Sequence, residues 1–300
     1  MRILVVGATG FVGSRLVARL AELGHDVVAF SRSASQESFP DGVEVFEGDL
    51  ADGDSLVDLC ASVDIAYYLI HSLTADDFAA RDREYARRFR DVASAAGVDR
   101  VVYLSGISGT GVDLSPHLES RREVEAILTG GEFDLTVLRA AVIIGAGSAS
   151  FRILHDLTDR LPIMAVPQWV RTPCQPIGIR DTISYLVGVL DAEETRGETY
   201  DIGGPSVWNY ESLLQLTAKA KAKPAYIVPV PVMTPKLSSY WLRLTTDVQF
   251  DIAQALAESM RNPVTVDAAS DLQTVVPIDQ TSIETAVRDA LAELRAAAER

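Results

Sequence analysis

Along the first 140 residues, short continuous apolar runs alternate with stretches whose apolar positions recur at helical spacing. The runs are RILVV (2–6), DVVAF (26–30), VEVF (43–46), DIAYYLI (64–70), RVVYLS (100–105) and DLTVLRA (134–140). Helix-period stretches fill 11–23, 54–61, 76–96 and 117–129. Strands alternating with helices predict a parallel sheet covered on both faces. A run such as ILVV has no polar alternation, as expected of a strand buried on both sides. Right-handed crossovers leave a doubly wound α/β arrangement as the simplest topology.

The rhythm changes after residue 145. Prolines gather in LPIMAVPQWVRTPCQPIG (161–178). RDTISYLVGVLDA (180–192) predicts a helix and ETYDIGG (198–204) a strand, both returning to the sheet. A helix in YESLLQLTAKAKA, a broken strand in AYIVPVPV, and helices around 234–244, 248–260 and 281–298 follow. The expected organisation is a core over 1–144, completed by about 180–204, with a smaller mixed lobe from 145–180 and 205–300 above the carboxyl edge of the sheet.

VVGATGFVG places Gly7, Gly10 and Gly13 directly after the first strand, where they open the first helix. Gly7 permits a tight turn, Gly10 lets the backbone approach a pyrophosphate, and Gly13 lets helix and strand pack closely. The helix N-terminus adds free N–H groups and the positive end of a dipole. This is the dinucleotide signature of a Rossmann sheet, and it makes Thr9, Phe11 and Val12 candidate cofactor contacts along with the glycines. The second strand ends in Ser31, Arg32 and Ser33, where an NAD site normally carries an acid for the ribose 2′-OH. An arginine there suits a 2′-phosphate through charge-assisted hydrogen bonds, so NADP(H) is expected ahead of NAD(H). The other reading of Arg32 is a solvated surface side chain. In GDL, Asp49, followed by Leu50, is placed to meet an adenine amino group or to cap a turn.

GATGFVG, GDL, YYLIHSL, VVYLSGI, SPHLESRREVE and LRAAVIIGAGSASF together resemble an atypical short-chain dehydrogenase/reductase, of the NmrA-like NAD(P)H-binding branch. That branch is also similar to the nucleotide-binding accessory subunit of respiratory complex I. RTPCQPIGIRD and VPVMTPKLSSYWL extend the likeness over nearly the whole chain. The resemblance implies that Ser105 stands where active reductases hold a substrate carbonyl. His117 falls on the usual catalytic Tyr, and Arg121 on the Lys that lowers the tyrosine pKa and holds the nicotinamide ribose. It places Leu69, Ile70, His71 and Ser72 beside the cofactor, His71 either bonding a phosphate or ribose or capping the next loop. Ala140, Ala141, Val142 and Ile143 fall where relatives hold the nicotinamide carboxamide. Ser115 as N-cap and Pro116 in the first turn would put His117 and Arg121, spaced i and i+4, on one helix face. Arg121 and the helix N-terminus would keep the imidazole neutral. Ser148 and Ser150 stand to cap the next helix or face a ligand. The aromatics Trp169, Trp208, Tyr210, Tyr240 and Trp241 belong to the lobe core or rim an apolar pocket.

Composition narrows the partners. Asp and Glu number 42 against 27 Lys and Arg, a formal net charge of −15, which disfavours nucleic acid and anionic lipid. No apolar run approaches the ~18–20 residues of a membrane span, and MRILVVG enters a strand with no leader pattern, so a cytoplasmic location is expected. Cys60 and Cys174 lack metal-like spacing and read as free thiols, with no metal site expected. Two functions fit: an NADP(H)-dependent oxidoreductase acting on a small or apolar carbonyl, quinone or enone, and a catalytically weak NAD(P)H-binding sensor, assembly factor or accessory subunit with a protein partner. The dispersed acids and the scarcity of lysine (Lys219, Lys221, Lys223 and Lys236) resemble proteins of salt-loving microbes. If that is their role, self-repulsion destabilises the fold in low salt and the thermal unfolding midpoint rises in molar KCl. A midpoint indifferent to salt would leave only the acidic bias of a GC-rich genome.

Overall fold

The computed structural model describes residues 1–51, 54–71, 78–108, 114–230, 247 and 249–299. Its main sheet contains β1 (Arg2–Val6), β2 (Asp26–Ser31), β3 (Glu44–Glu47), β4 (Ile65–Tyr68), β5 (Arg100–Gly106), β6 (Asp134–Ala140) and β11 (Thr199–Ile202). The spatial order is β3-β2-β1-β4-β5-β6-β11, and every pairing is parallel. The strand order therefore reverses between β1 and β4. The crevice at the carboxyl ends of those strands is where open α/β sheets bind ligands.

The apolar run of β1 is divided between two cores by the two-residue period of a strand. Ile3 and Val5 face one side, packing with Leu16, Val17 and Leu20 of α1 (Gly13–Glu22). Leu4 and Val6 face the other, with Tyr85 and Phe89 of α3 (Phe78–Ala96) and Val124 and Leu128 of α4 (Pro116–Leu128). α2 (Asp54–Cys60) joins this second layer, and α6 (Ile179–Gly188) joins the first. The predicted α/β doubly wound sheet is thus present.

Three two-stranded pairs lie beyond the main sheet: β7 (Ile143–Ile144) with β10 (Ile177–Gly178), β8 (Ile163–Pro167) with β13 (Tyr226–Val230), and β9 (Pro173–Cys174) with β12 (Trp208–Asn209). With α5 (Ala149–Arg160), α7 (Tyr210–Ala220), α8 (Phe250–Ser259) and α9 (Ile283–Ala298), they surround a third apolar cluster that includes Phe151, Met164, Tyr210 and Met260. Leu272, with Val275, Val276 and Ile278 packed on it, instead joins the core beneath the main sheet. The helix expected around 234–244 lies outside the described residues.

Two boundaries move for a physical reason. The expected helix at 11–23 begins at Gly13, because residues 7–12 form the turn. The expected strand 64–70 ends at Tyr68, because Leu69, Ile70 and His71 leave the sheet along the crevice. Inside the turn, a Cβ on Gly13 would lie 2.2 Å from the Gly7 carbonyl oxygen, whereas one on Gly10 would lie 3.2 Å from the same atom. Gly13→Ala must move backbone, so urea unfolding should show a loss of about 1–3 kcal/mol, the usual cost of overpacking. Gly10→Ala should lose much less. Equal losses would show that the helix–turn contact is not the tight one.

Candidate functional site

Two cavities meet over the glycine turn. Gly7 takes φ +93°, a conformation that L side chains rarely adopt, and a Cβ there would also press 3.1 Å from the Leu69 carbonyl oxygen. The Gly7 and Ala8 N–H groups both donate to the Phe30 carbonyl, at 2.9 and 3.2 Å, tying the turn to the end of β2. On one side of Gly7 and Gly10 lies a recess of about 190 Å³, lined by the ends of β2 and β3. On the other lies a cleft of about 750 Å³ running along the ends of β4, β5 and β6 to the third apolar cluster.

The recess brings together Thr9, Ser31, Arg32, Ser33, Asp49 and Leu50. Thr9 Oγ1 and Ser31 Oγ are 3.0 Å apart, and the Ser33 N–H donates to Ser31 Oγ at 3.2 Å. Arg32 is exposed at the rim and makes no ion pair among the described residues. Asp49 Oδ1 accepts the Ala51 N–H at 2.9 Å, so its turn-capping role is realised. Its carboxylate also lies beside the phenol of Tyr85, whose pKa is raised by burial and then by Asp49. Leu50 is a core residue at the base of the recess, and Ile70 packs on the same core.

The cleft is mostly apolar, with Phe11, Val12, Ala140, Val142, Tyr210 and Met260 among its walls. Its polar groups converge from the ends of β4 and β5 and from the start of α4. Ser105, 4% exposed, has no hydrogen-bond partner for its Oγ among the described residues. Ser115 caps α4 by accepting the Leu118 N–H at 3.3 Å, and Pro116 follows it. That start sets the phase of the helix and carries both His117 and Arg121 to the cleft, as their spacing implied. Arg121 donates to the Leu104 carbonyl, and its guanidinium carbon lies 5.1 Å from the centre of the Tyr103 ring.

Among the described residues, His71 has a polar partner at each ring nitrogen. Its Nε2 is 3.0 Å from His117 Nδ1, and its Nδ1 is 3.1 Å from Oδ2 of Asp82, a carboxylate only 2% exposed on α3. The two rings are tilted by 40° with centres 4.7 Å apart. Burial is the main force lowering the His71 pKa; Arg121 adds to it, and Asp82 opposes it. His117 is held well below the ordinary imidazole value by burial, then by His71 and Arg121. The expected neutrality of this ring thus has desolvation as its first cause, with Arg121 a lesser one.

Ser148 caps α5, accepting the Phe151 N–H at 3.4 Å while donating to the Ile143 carbonyl at 2.8 Å, and both Ser148 and Ser150 line the cleft. Trp169 and Trp208 pack against the third apolar cluster. Ser72, Tyr240 and Trp241 lie outside the described residues. Cys60 and Cys174 are free and buried, their thiols pushed up to about 12, which makes them poor nucleophiles. Among the described residues no helix is long and apolar enough to cross a membrane, and no cluster has the makings of a metal site. Sequence reasoning missed Asp82 and Tyr85. Both sit on the buried stripe of α3 with Ala86 and Phe89. A carboxylate within such a stripe was the available signal.

The model of a family described as NAD(P)H-binding matches residues 7–160. The chain belongs to that family. Photosystem II assembly factor Ycf39 of Guillardia theta is 23% identical over 298 residues, covering 96% of this chain and 94% of its own. The mitochondrial NADH dehydrogenase [ubiquinone] 1 alpha subcomplex subunit 9 of Arabidopsis thaliana is 24% identical over 245 residues, with coverage of 76% and 60%. The solved structure of MoeE5 in complex with UDP-glucose and NAD superposes with a TM-score of 0.74 at 17% identity, covering 99% of this chain and 100% of that one, a likeness of fold.

The residues of this NAD(P)H-binding protein fit a dinucleotide. The recess and the cleft share Gly7 and Gly10, a Cβ on Gly10 would meet nothing but the Gly7 oxygen, and Ser105, whose buried Oγ has no hydrogen-bond partner among the described residues, stands in the cleft wall. The two depressed histidines carry a signature in solution. Their folded pKa values lie below the ~6.5 of an unfolded imidazole, so below that pH the unfolded chain binds protons that the folded one refuses. Stability therefore falls as pH drops through ~6.5, by at most about 1.4 kcal/mol per pH unit per group, and is unaffected by them above it. His117→Gln should flatten the fall in urea-unfolding free energy between pH 7 and pH 5. An unchanged slope would show that His117 is freely protonated in the folded protein.

Proposed function

We propose that the protein is an NADP(H)-dependent oxidoreductase that moves a hydride between nicotinamide and a small or apolar carbonyl, enone or quinone. The observation that carries this reading is the convergence of an orphaned Ser105 hydroxyl, His117 and Arg121 at one end of an apolar cleft that opens on the glycine turn. The cofactor supplies hydride chemistry when bound. Gly7, Gly10 and Gly13, with Thr9, Phe11 and Val12, hold its pyrophosphate turn; Leu69, Ile70, Ala140 and Val142 flank it. Ser31, Arg32 and Ser33 take the 2′-phosphate side, with Asp49 and Leu50 toward the base. Ser105 donates to the substrate oxygen, His117 exchanges a proton with that oxygen, and Arg121 binds ribose hydroxyls while remaining charged.

The lobe walls, with Tyr210 and Met260, favour an apolar substrate. Two inferences from composition accompany this reading: a reducing cytoplasm, from the free thiols, and a salt-rich one, from the acidic excess.

A second reading, a redox-responsive accessory or assembly protein, is favoured by the relatives named above and by the depressed His117, which offers little imidazolium for acid catalysis near neutral pH. Capture of one protein partner only with NADPH, or only with NADP⁺, would support it.

Calorimetric titration should show NADPH binding more tightly than NADH, with Arg32→Ala narrowing the difference by about 1–3 kcal/mol, the size of a hydrogen bond to a charged group. Incubation with quinones, enones and aldehydes should consume NADPH slowly and selectively. Equal or tighter NADH binding overturns the cofactor choice, and no consumption across the panel overturns the reductase reading.

A further inference from the structure

The resemblance assigns proton chemistry to positions 117 and 121, but the hydrogen bonds run further back. His117 is joined to His71, which follows β4, and His71 to Asp82 on α3. These contacts determine which nitrogens carry protons. An ordinary carboxylate only accepts, so the His71 nitrogen facing Asp82, Nδ1, must be the protonated one. A neutral His71 then has a bare Nε2. The contact between that Nε2 and His117 Nδ1, at 3.0 Å, holds one proton, which must come from His117. The proton of a neutral His117 is thereby committed to Nδ1, and its Nε2, the ring nitrogen left for the cleft, carries none.

We infer that Asp82 is a positioning residue that acts through His71 to hold His117 with a bare Nε2 toward the cleft, so that the resting site is set to take a proton from a substrate hydroxyl. This rests on the oxidoreductase reading above. In that direction the alcohol O–H bond breaks and its proton bonds to His117 Nε2. The electron pair of the adjacent C–H bond leaves with its hydrogen, as hydride, to the oxidised nicotinamide. Reduction of a carbonyl is the reverse, and it first requires one additional proton on the trio.

The electrostatics explain why a carboxylate belongs at the far end. Burial and the Arg121 guanidinium both oppose an imidazolium here. With Asp82 included, taking up one proton changes the trio from a net charge of −1 to zero, wherever along it the proton settles. Among the described residues, the other titratable groups facing it are the Tyr68 and Tyr103 phenols, both raised by burial and so neutral, and Arg121 is the nearby cation. Without Asp82, the same proton would leave an uncompensated cation beside Arg121 in an apolar wall, a costly arrangement.

The test requires neither substrate nor cofactor. The protein contains four histidines, His25, His71, His117 and His155. In protein labelled with ¹⁵N-histidine, long-range ¹H–¹⁵N spectra near pH 7.5 distinguish protonated from bare ring nitrogens, and single His→Gln variants assign the four rings. The expected result is one tautomer at each of two rings, with Nδ1 protonated and Nε2 bare in both His71 and His117. Asp82→Asn, whose amide both donates and accepts, should release the arrangement, and His117 Nε2 should move toward the protonated position although its direct partner is unchanged. A wild-type His117 protonated on Nε2 overturns the proposal even if the Asn variant fails to fold; so does a folded Asn variant whose His117 tautomer is unaltered. Failure of the reductase reading would look different, as a fixed tautomer in a protein that never consumes NADPH.

Discussion

Backbone lies against backbone where β1 and β4 end, and the rest of the site depends on that contact. A methyl on Gly7 would be tight against the Leu69 carbonyl, at 3.1 Å, and Gly13 has no room for a methyl beside Gly7. Three segments are thereby stacked without intervening side chains: the end of β4, the turn after β1, and the first turn of α1. Because the strand order reverses between β1 and β4, helices leave in opposite directions on either side and open a crevice there. The chain leaving β4 cannot rise over the turn, so it runs along the crevice wall. This brings His71 opposite a helix that begins 45 residues later, at Pro116.

Electrostatic forces at the cleft are large because it is apolar, and they compete. Arg121 is anchored by the Leu104 carbonyl and the Tyr103 ring, contacts that hold a cation where water is scarce. From there it disfavours charge on both imidazoles, in the same sense as burial. Asp82 is the opposing influence, and it acts on His71 directly and on His117 only through His71. Removing the carboxylate would therefore affect His117 without touching it, whereas removing Arg121 would relieve both rings at once.

Much of this was written locally in the sequence. ILVV announces a strand buried on both faces, and the parallel pairing of β1 with both β2 and β4 provides those faces. Ser115 and Pro116 announce a helix start, and that start alone fixes the i, i+4 alignment of His117 with Arg121. The glycine spacing announces the turn. The partnership of Asp82 with His71 was not legible, because it depends on the angle at which α3 crosses the sheet, a property of packing and not of spacing. The two are eleven positions apart in sequence, across the junction of a strand end and a helix, so no helical or strand period relates them. The capping role of Asp49 was legible, since an aspartate accepting an N–H two residues on is a local turn, but its contact with Tyr85 depends on the same α3 packing.

The resemblance puts His117 and Arg121 where reductases carry Tyr and Lys, and such an exchange would reverse how a proton group at that place is tuned. A nearby cation lowers a phenol's pKa toward neutrality, which makes the phenol a usable acid–base group. The same cation beside an imidazole moves it away from neutrality, because the charged form is now the acid and not the base. An imidazole in the tyrosine's place therefore needs the opposite neighbour, a negative charge, to be protonated at all in a dry cleft. Placing Asp82 one imidazole away, on the far side of His71, keeps the carboxylate out of the cleft while leaving its charge coupled to His117 through hydrogen bonds. On the proposed reading the second histidine is a spacer, through which an anion acts on a proton group whose other neighbour is a cation.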